Sequence, residues 1–382
     1  MKLISLRIKN YSLIILALIF SNSLYASNDK LQIGLDSIRS ISNTFYRIKN
    51  NYVEEIDSQY LVNGCIAGMV TAADPESAFL DVSKFDELKN GNRFVSGGVG
   101  LKLSIKNGYP VVVTPIEGTP SYQSGIKSGD ILLQIDKNDM HGKNLDYAVS
   151  LLKGDPDSSV HIRVARKDLY ETLTFNIKRE KIRIKGVTKK LLANNIGYIR
   201  ISAFRNNTAK KVKSQLKILL REAGGELKGL IMDLRNNPGG LVNEAIDVAD
   251  TFLTKGIIAY TETRTSGAEL KFRAKSEQYL SNTPMVILIN EGSAGSSEIV
   301  TGALKDHHRA TLVGRNTYGS SSIQTIIPLG NGSALKLTTA RWITPSGNFI
   351  HGNGIKPDLI VNEAPNIEDD YQLKRALQVF DQ

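Results

Sequence analysis

Residues 290–298 read Asn-Glu-Gly-Ser-Ala-Gly-Ser-Ser-Glu, and their neighbours make them a strand-to-helix turn. The apolar run Met285–Ile289 before them looks like a buried strand, and Ile299–Leu304 after them reads as a helix. Such a turn aims one side chain at the helix N-terminus, where free amides and the helix dipole stabilise negative charge. The residue so aimed is Gly295, which has no side chain to offer.

Outward from this turn, strands and helices alternate from about residue 185. Ile196–Ile201 reads as a strand, and Thr208–Arg221 as a helix with Val212, Leu216, Leu219 and Leu220 on its inner face. Leu230–Leu234 is a buried strand, and Leu241–Phe252 is a helix entered through Pro238-Gly239-Gly240. Val286–Asn290 and Thr311–Gly314 are further strands, and Gly330-Asn331-Gly332 turns a hairpin. Residues 181–382 are thus expected to form a layered α/β domain.

The preceding stretch differs in character. Leu101-Lys102-Leu103 alternates, Tyr109–Thr114, Asp130–Asp136, Val160–Ala165 and Leu173–Ile177 read as strands, and Thr119-Pro120 opens a short helix ended by Gly125. Leu145–Lys153 is an amphipathic helix with two apolar stripes, Leu145/Val149/Leu152 and Ala148/Leu151; one is expected to face the core of its unit and the other to line a groove, and the sequence does not say which. Several short strands with two helices thus make a compact unit over 91–180. Residues 30–90 read as mainly helical: Ile38, Ile41, Phe45 and Ile48 recur at helical spacing, as do Leu61, Cys65 and Met69 after Ser58 as a cap.

Residues 1–26 have the pattern of a secretory leader, with Lys2, Arg7 and Lys9 before the apolar run Leu13–Phe20 and a small-residue end near Ala26. The expectation is export to the periplasm or cell envelope, with membrane contact only through an uncleaved leader, since the apolar run is short for a span. Cys65 is the single cysteine, so no internal disulfide is available, and its helical stripe reads as a packed core thiol. The charge of +10 is spread along 382 residues without a dense basic block, which argues against nucleic-acid binding. No His, Cys or carboxylate cluster has ligand spacing, so neither a metal nor a cofactor is expected.

Three blocks together resemble the C-terminal processing peptidases, also called tail-specific proteases, which are serine peptidases with an inserted PDZ domain. The first is SGGVGLKL with GTPSYQSGIKSGDILLQID, similar to a PDZ carboxylate loop and the segments after it. The second is DLRNNPGGL at 233–241, and the third is EGSAGSSEIVTGALKDHHRATLVG at 291–314 with Thr317–Leu329 and ALKLTTARWITPSG after it. The resemblance covers essentially the whole chain beyond the leader. It implies a multidomain α+β and α/β architecture: an N-terminal helical region, an inserted PDZ domain and a layered α/β peptidase domain.

The family's elbow reads Gly-Ser-Ala-Ser-Ala-Ser-Glu with the second serine as nucleophile, which places Gly295 at that position. Its lysine base lies in Thr-Phe-Gly-Lys-Gly-Ser-Val-Gln, which places Ser320 at the lysine and keeps Gln324, the residue that orients it. Asp306 is retained after the elbow helix, and Gly239 and Gly240 fall where the family builds part of its oxyanion wall, with Arg235 and Asn237 as candidates to hold that loop. A Ser–Lys dyad needs a hydroxyl to attack and a desolvated amine to take its proton. Glycine supplies neither hydroxyl nor strain, and serine is no base, so the resemblance implies a pseudo-peptidase. Ser296 is the fallback nucleophile, turned about 100° from the cleft by helical geometry, while the Ser293 hydroxyl reads as a helix cap.

In the PDZ-like segment, Gly98, Val99 and Gly100 are expected to present amides to a peptide's terminal carboxylate. The strand carrying Leu101 and Leu103 is expected to pair with the peptide by strand addition. The partners implied are polypeptide C-terminal tails, together with a second copy of the chain or an active paralogue. Two rival readings stand beside the pseudo-peptidase: a working serine endopeptidase with a non-standard nucleophile, and a scaffold subunit of an envelope protease complex.

Overall fold

A computed structural model describes residues 34–381 apart from 75, 90–96, 168, 183–185, 265–268, 276–278 and 363–369. The expected leader therefore lies outside the described residues. The chain divides into two compact units, one ending at Ile66 and one beginning at Ala67.

In the first unit, helix α1 (Leu35–Asn51) contains no buried residue, and its apolar stripe is open: Ile38 is 51% and Ile41 49% exposed. Helix α2 (Ser58–Ala73) begins there, and its cap is Asp57, whose carboxylate accepts the Tyr60 amide at 2.8 Å, rather than Ser58. Cys65 is exposed, so the expected core thiol is corrected. Leu61, Cys65 and Met69 do lie at helical spacing, but Met69 is 55% exposed and the stripe is not sealed.

The second unit opens with β1 (Ala78–Leu80) and helix α3 (Val82–Lys89). Next comes an antiparallel sheet built from β2 (Leu101–Lys106), β3 (Tyr109–Pro115), β4 (Ile131–Ile135), β5 (Asn138–Asp139), β6 (Ser159–Ala165) and β7 (Leu173–Lys178). Its order is β2-β3-β4-β6-β7 with β5 beside β4, so β2 is an edge strand. Helix α4 (Pro120–Gln123) is a single turn, and α5 (Leu145–Leu152) packs over the core of Val112, Leu132, Ile135 and Ile162. The two stripes expected on α5 do not divide between core and groove. Ala148 and Leu152, one from each, are the buried pair, with Leu145, Val149 and Leu151 half-buried against the same core.

The rest of the unit alternates as the sequence predicts: β8 (Val187–Leu192), β9 (Ile196–Ile201), α6 (Thr208–Glu222), β10 (Gly229–Asp233), α7 (Val242–Asp250), β11 (Ile257–Thr263), β12 (Lys271–Arg273), β13 (Met285–Ile289), α8 (Ser296–Asp306), β14 (Thr311–Gly314), β15 (Ser322–Pro328), β16 (Ala334–Ile343), β17 (Leu359–Ile360) and α9 (Tyr371–Gln378). The central sheet runs β17-β14-β13-β10-β9-β8, parallel throughout except for β8. Along β13, Met285, Ile287 and Ile289 face the α6–α8 side while Val286 and Leu288 face α9. Burial on both faces is why this strand is an unbroken apolar run rather than an alternating one. A second sheet, β1-β16-β11-β12 with β15 on β16, carries the segment after Ser320.

Candidate active site

Neighbouring parallel strands β10 and β13 end side by side, and each runs into a turn that starts a helix. Open α/β sheets place their sites in this crevice beyond the carboxyl ends of the strands. Asn237 holds the two turns together. Its side-chain amide donates to the Ile201 carbonyl at 2.8 Å, its Oδ1 accepts the Gly239 amide at 2.8 Å, and its own carbonyl accepts the Ala294 amide at 2.9 Å and the Ser297 hydroxyl at 3.0 Å. One fully buried residue therefore ties together the ends of β9, β10 and β13.

Gly295 caps α8 with φ 56° and ψ −115°, a conformation that costs any residue with a Cβ. A Cβ there would nevertheless meet open space, its nearest neighbour being the Pro238 carbonyl at 3.8 Å. The elbow therefore retains room for a side chain and the backbone that would aim one. Ser296 is 4% exposed and donates to the Gly240 carbonyl at 2.9 Å. Ser293 does not cap the helix as expected: it donates to the Leu234 carbonyl at 2.8 Å and accepts the Asn290 amide at 3.1 Å, bracing the turn from beneath.

Glu298 is the residue that sequence reasoning missed. It is fully buried, and its carboxylate accepts four bonds: from the Gly295 amide at 2.9 Å, the Ser320 amide at 2.8 Å, the Gly319 amide at 2.8 Å and the Thr317 hydroxyl at 2.5 Å. Desolvation outweighs those donors and pushes its pKa up to about 7. The signal available in sequence was a glutamate three residues after a helix cap, whose side chain returns to the cap amide. Here that carboxylate takes up the Gly295 amide.

Ser320 is half-buried and its amide is committed to Glu298. Gln324 donates to the Thr338 hydroxyl at 3.1 Å, while its buried Oε1 has no partner among the described residues. The Ser321 hydroxyl is likewise buried and unpartnered among the described residues. Asp306 accepts the amide and the hydroxyl of Ser346 at 2.8 and 2.7 Å, well away from the elbow at the other end of α8. Gly239 (φ 91°) and Gly240 (φ 141°) press so closely on the Ala294 and Phe204 carbonyls that no side chain fits at either.

Arg235 braces the β10 end rather than the cleft. It pairs with Asp233 at 2.6 Å and with Asp370 at 2.8 Å, and Arg200 reaches Asp233 at 2.8 Å. Asp233 is fully buried, and although desolvation works the other way, the two guanidiniums hold its carboxyl far below the usual range.

The PDZ-type sheet docks on these turns through the outward face of β2. Lys102 donates to the Pro238 carbonyl at 2.8 Å, and Ser104 hydrogen-bonds the Tyr318 phenol. Solvent reaches the Lys102 side chain, but protein crowds its ammonium and desolvation draws its pKa below the ordinary lysine value. Ser128 adds a bond to the Glu291 carbonyl at 3.0 Å, and Glu117 pairs with Arg200. Within the expected carboxylate loop, the Gly98 amide is not available, since it donates to the Glu180 carbonyl at 2.9 Å as part of a bridge to that residue. None of the described bonds uses the Val99 or Gly100 amide. Leu103 is 7% exposed and belongs to the core, so only its backbone is placed to meet a peptide. Leu101 packs half-buried against the same core. Beside the peptidase turns, a cavity of about 320 Å³ is lined by Val242, Phe272, Ile323 and Ala340 together with polar residues that include Asn243 and Thr339.

Comparison with known proteins agrees with this geometry. Residues 195–361 match peptidase family S41, residues 111–166 a PDZ domain, and residues 19–84 the N-terminal domain of the activating protease CtpB. The chain is 38% identical over 320 residues to a carboxy-terminal-processing protease of Bartonella bacilliformis, covering 84% of this chain and 74% of that one. It is 31% identical over 344 residues to the carboxy-terminal processing protease CtpB of Bacillus subtilis, covering 89% and 71%. The solved photosystem II D1 C-terminal processing protease superposes with a TM-score of 0.73 at 29% identity, over 85% of this chain and 88% of that one. The chain belongs to the carboxy-terminal-processing protease family, serine-type peptidases that carry a PDZ domain.

Proposed function

We propose that this chain is an exported member of the family that binds C-terminal polypeptide tails through its PDZ domain without cutting them. The observation that carries the reading is Gly295, a residue with no side chain at a position of the elbow where one has room. Ser320, in the lysine position, cannot take a proton from a hydroxyl near neutral pH. Ser296 offers no substitute, because its hydroxyl donates to the Gly240 carbonyl and, among the described residues, no amine is a hydrogen-bond partner. Removing one member of a catalytic unit costs about 10⁶ in kcat in a subtilisin-type enzyme, and here both members are absent.

Binding has better support. The edge strand β2 leaves a row of backbone groups for strand addition, with Val99 and Gly100 at its start for a terminal carboxylate. The cavity beside the turns would take one side chain of a tail lying across them. The leader directs the chain to the cell envelope, where it shields tails or presents them to an active relative. The test incubates the mature chain with an unstructured tail-bearing substrate, beside a Gly295→Ser/Ser320→Lys variant. Binding without cleavage by the natural chain is expected. Cleavage by the natural chain would end this reading in favour of an endopeptidase with another nucleophile.

A second reading rests on its own observation. Helix α1 buries nothing, although its apolar residues recur on one face. A helix of that pattern is stable in water when another helix covers it. The N-terminal helices therefore pair the chain with a second copy or with an active paralogue, which also suits a scaffold subunit.

A further inference from the structure

Lys102, on β2, brings an ammonium to the rim of the elbow. It donates to the Pro238 carbonyl at 2.8 Å, and that oxygen is also the nearest atom, at 3.8 Å, to the place a Cβ at 295 would take. An ammonium carries three N–H donors. Among the described residues, the bond to Pro238 is the only hydrogen bond this one makes.

Gln324 presents the complement. On the β15–β16 hairpin Gln324 stands opposite Thr338 and Ile326 opposite Lys336, so Gln324, Thr338 and Lys336 share one face. Lys336 is close enough to Lys102 to oppose its charge, as Glu76 and Glu298 are close enough to favour it, so that face turns toward the Lys102 ammonium. The Gln324 side-chain amide is anchored by its donation to the Thr338 hydroxyl at 3.1 Å. Its Oε1 is buried and has no donor among the described residues.

One space therefore holds a donor with bonds to spare and a buried acceptor with none, and leaving such an acceptor unmet is costly. We propose that Lys102 and Gln324 clasp one backbone amide of a bound tail beside Gly295, the ammonium donating to its carbonyl and Gln324 Oε1 accepting its N–H. This clasp presupposes the tail-binding reading and locates one of its contacts. The group between the two side chains must accept and donate within a short span, as a secondary amide does. It must also bring no net charge, because the two ammoniums of Lys102 and Lys336 already face the two carboxylates of Glu76 and Glu298.

The experiment measures binding of the full chain, by fluorescence anisotropy, to an alanine-rich peptide with an apolar last residue and a free carboxylate. A matched set carries one ester in place of one backbone amide at each position in turn, which removes a single N–H. Esters in the stretch paired with β2 should weaken binding to parent and variants alike. At one further position the ester should weaken binding to the parent about tenfold. Gln324→Ala should lose that sensitivity, and Gln324→Glu, which keeps an acceptor, should retain it. Lys102→Met should weaken every peptide of the set, whereas Ser128→Ala, which removes a docking bond and no charge, should leave affinity unchanged. The clasp is overturned if no ester separates the parent from Gln324→Ala, since solvent then meets the orphaned oxygen. It is equally overturned if Lys102→Met binds like the parent, or if Ser128→Ala loses as much as Lys102→Met, which leaves Lys102 a docking role alone. A parent that binds none of the peptides would end the tail-binding reading itself; one that binds them without the Gln324 coupling ends only the clasp.

Discussion

The amides of Gly295 and Ser320 donate to the same carboxylate oxygen of Glu298, at 2.9 and 2.8 Å. The two positions that the proposed reading assigns to the nucleophile and the base are thus joined through one buried acceptor.

Restoring both groups should therefore restore chemistry on a frame already in place. Gly295→Ser/Ser320→Lys is expected to cut an unstructured tail substrate, and either single variant to remain silent, as followed by mass spectrometry of the products. The serine should cost about 1–3 kcal/mol of stability, because φ 56° and ψ −115° suit glycine. Thermal unfolding checks that cost, and a single variant as stable as the parent would contradict the strain.

Glu298 predicts a pH dependence. Burial raises its folded pKa to about 7 from a value near 4.5, so between those limits the folded state holds a proton that the unfolded chain has released. Its contribution to stability is full below about pH 4.5 and is lost as pH rises through about 7. Glu298→Gln should flatten this part of the profile, measured as the urea midpoint at pH 5 and pH 8. A difference between the two pH values as large in the variant as in the parent would place the titration elsewhere.

Asp233 works in the opposite sense. The Arg200 and Arg235 guanidiniums depress its pKa, so its stabilising effect is present above its unfolded pKa near 4 and fades as pH falls below that value. Asp233→Asn leaves two largely buried guanidiniums without their shared partner and should cost about 3–5 kcal/mol in urea unfolding. Asp370→Asn should cost less, because that carboxylate is 37% exposed.

Much of the elbow was legible in the chain. An apolar run of strand length, a turn containing Gly295 and a helical stretch after it led to β13, the turn and α8, and the alternation from residue 185 led to the parallel sheet. What escaped was whatever depends on partners distant in sequence. Ser293 looks like a cap locally, but Leu234 lies beneath it in the fold. Leu103 looks like a groove residue until the far side of its own sheet is known to be the core. Lys102 gave no local sign of reaching Pro238, 136 residues away. Cys65 was misplaced for the opposite reason: helical periodicity identifies a face but not whether anything covers it.

Lys102 supplies a further test, since its bond to Pro238 ties an edge of the PDZ sheet to the turn that carries Gly239 and Gly240. Lys102→Met should raise amide hydrogen exchange in 236–241 while leaving β10 and β13 protected, as read by mass spectrometry. Unchanged exchange in that turn would show that Asn237 alone sets its stability.

Helix α1 predicts assembly. Ile38→Glu/Ile41→Glu should convert a paired species to a single chain in sedimentation velocity, because both side chains lie on its uncovered face. A parent that sediments as a single chain at all concentrations would remove the pairing reading.

Asn237 and Ser297 hold the elbow in shape through atoms that take no part in bond breaking. Because the residue at 295 contributes only its backbone to that framework, glycine there costs the fold nothing and relieves a conformation that any Cβ strains. A lineage can drift away from hydrolysis at that codon without any warning from instability, whereas the way back needs a second change at 320 and the strain taken up again.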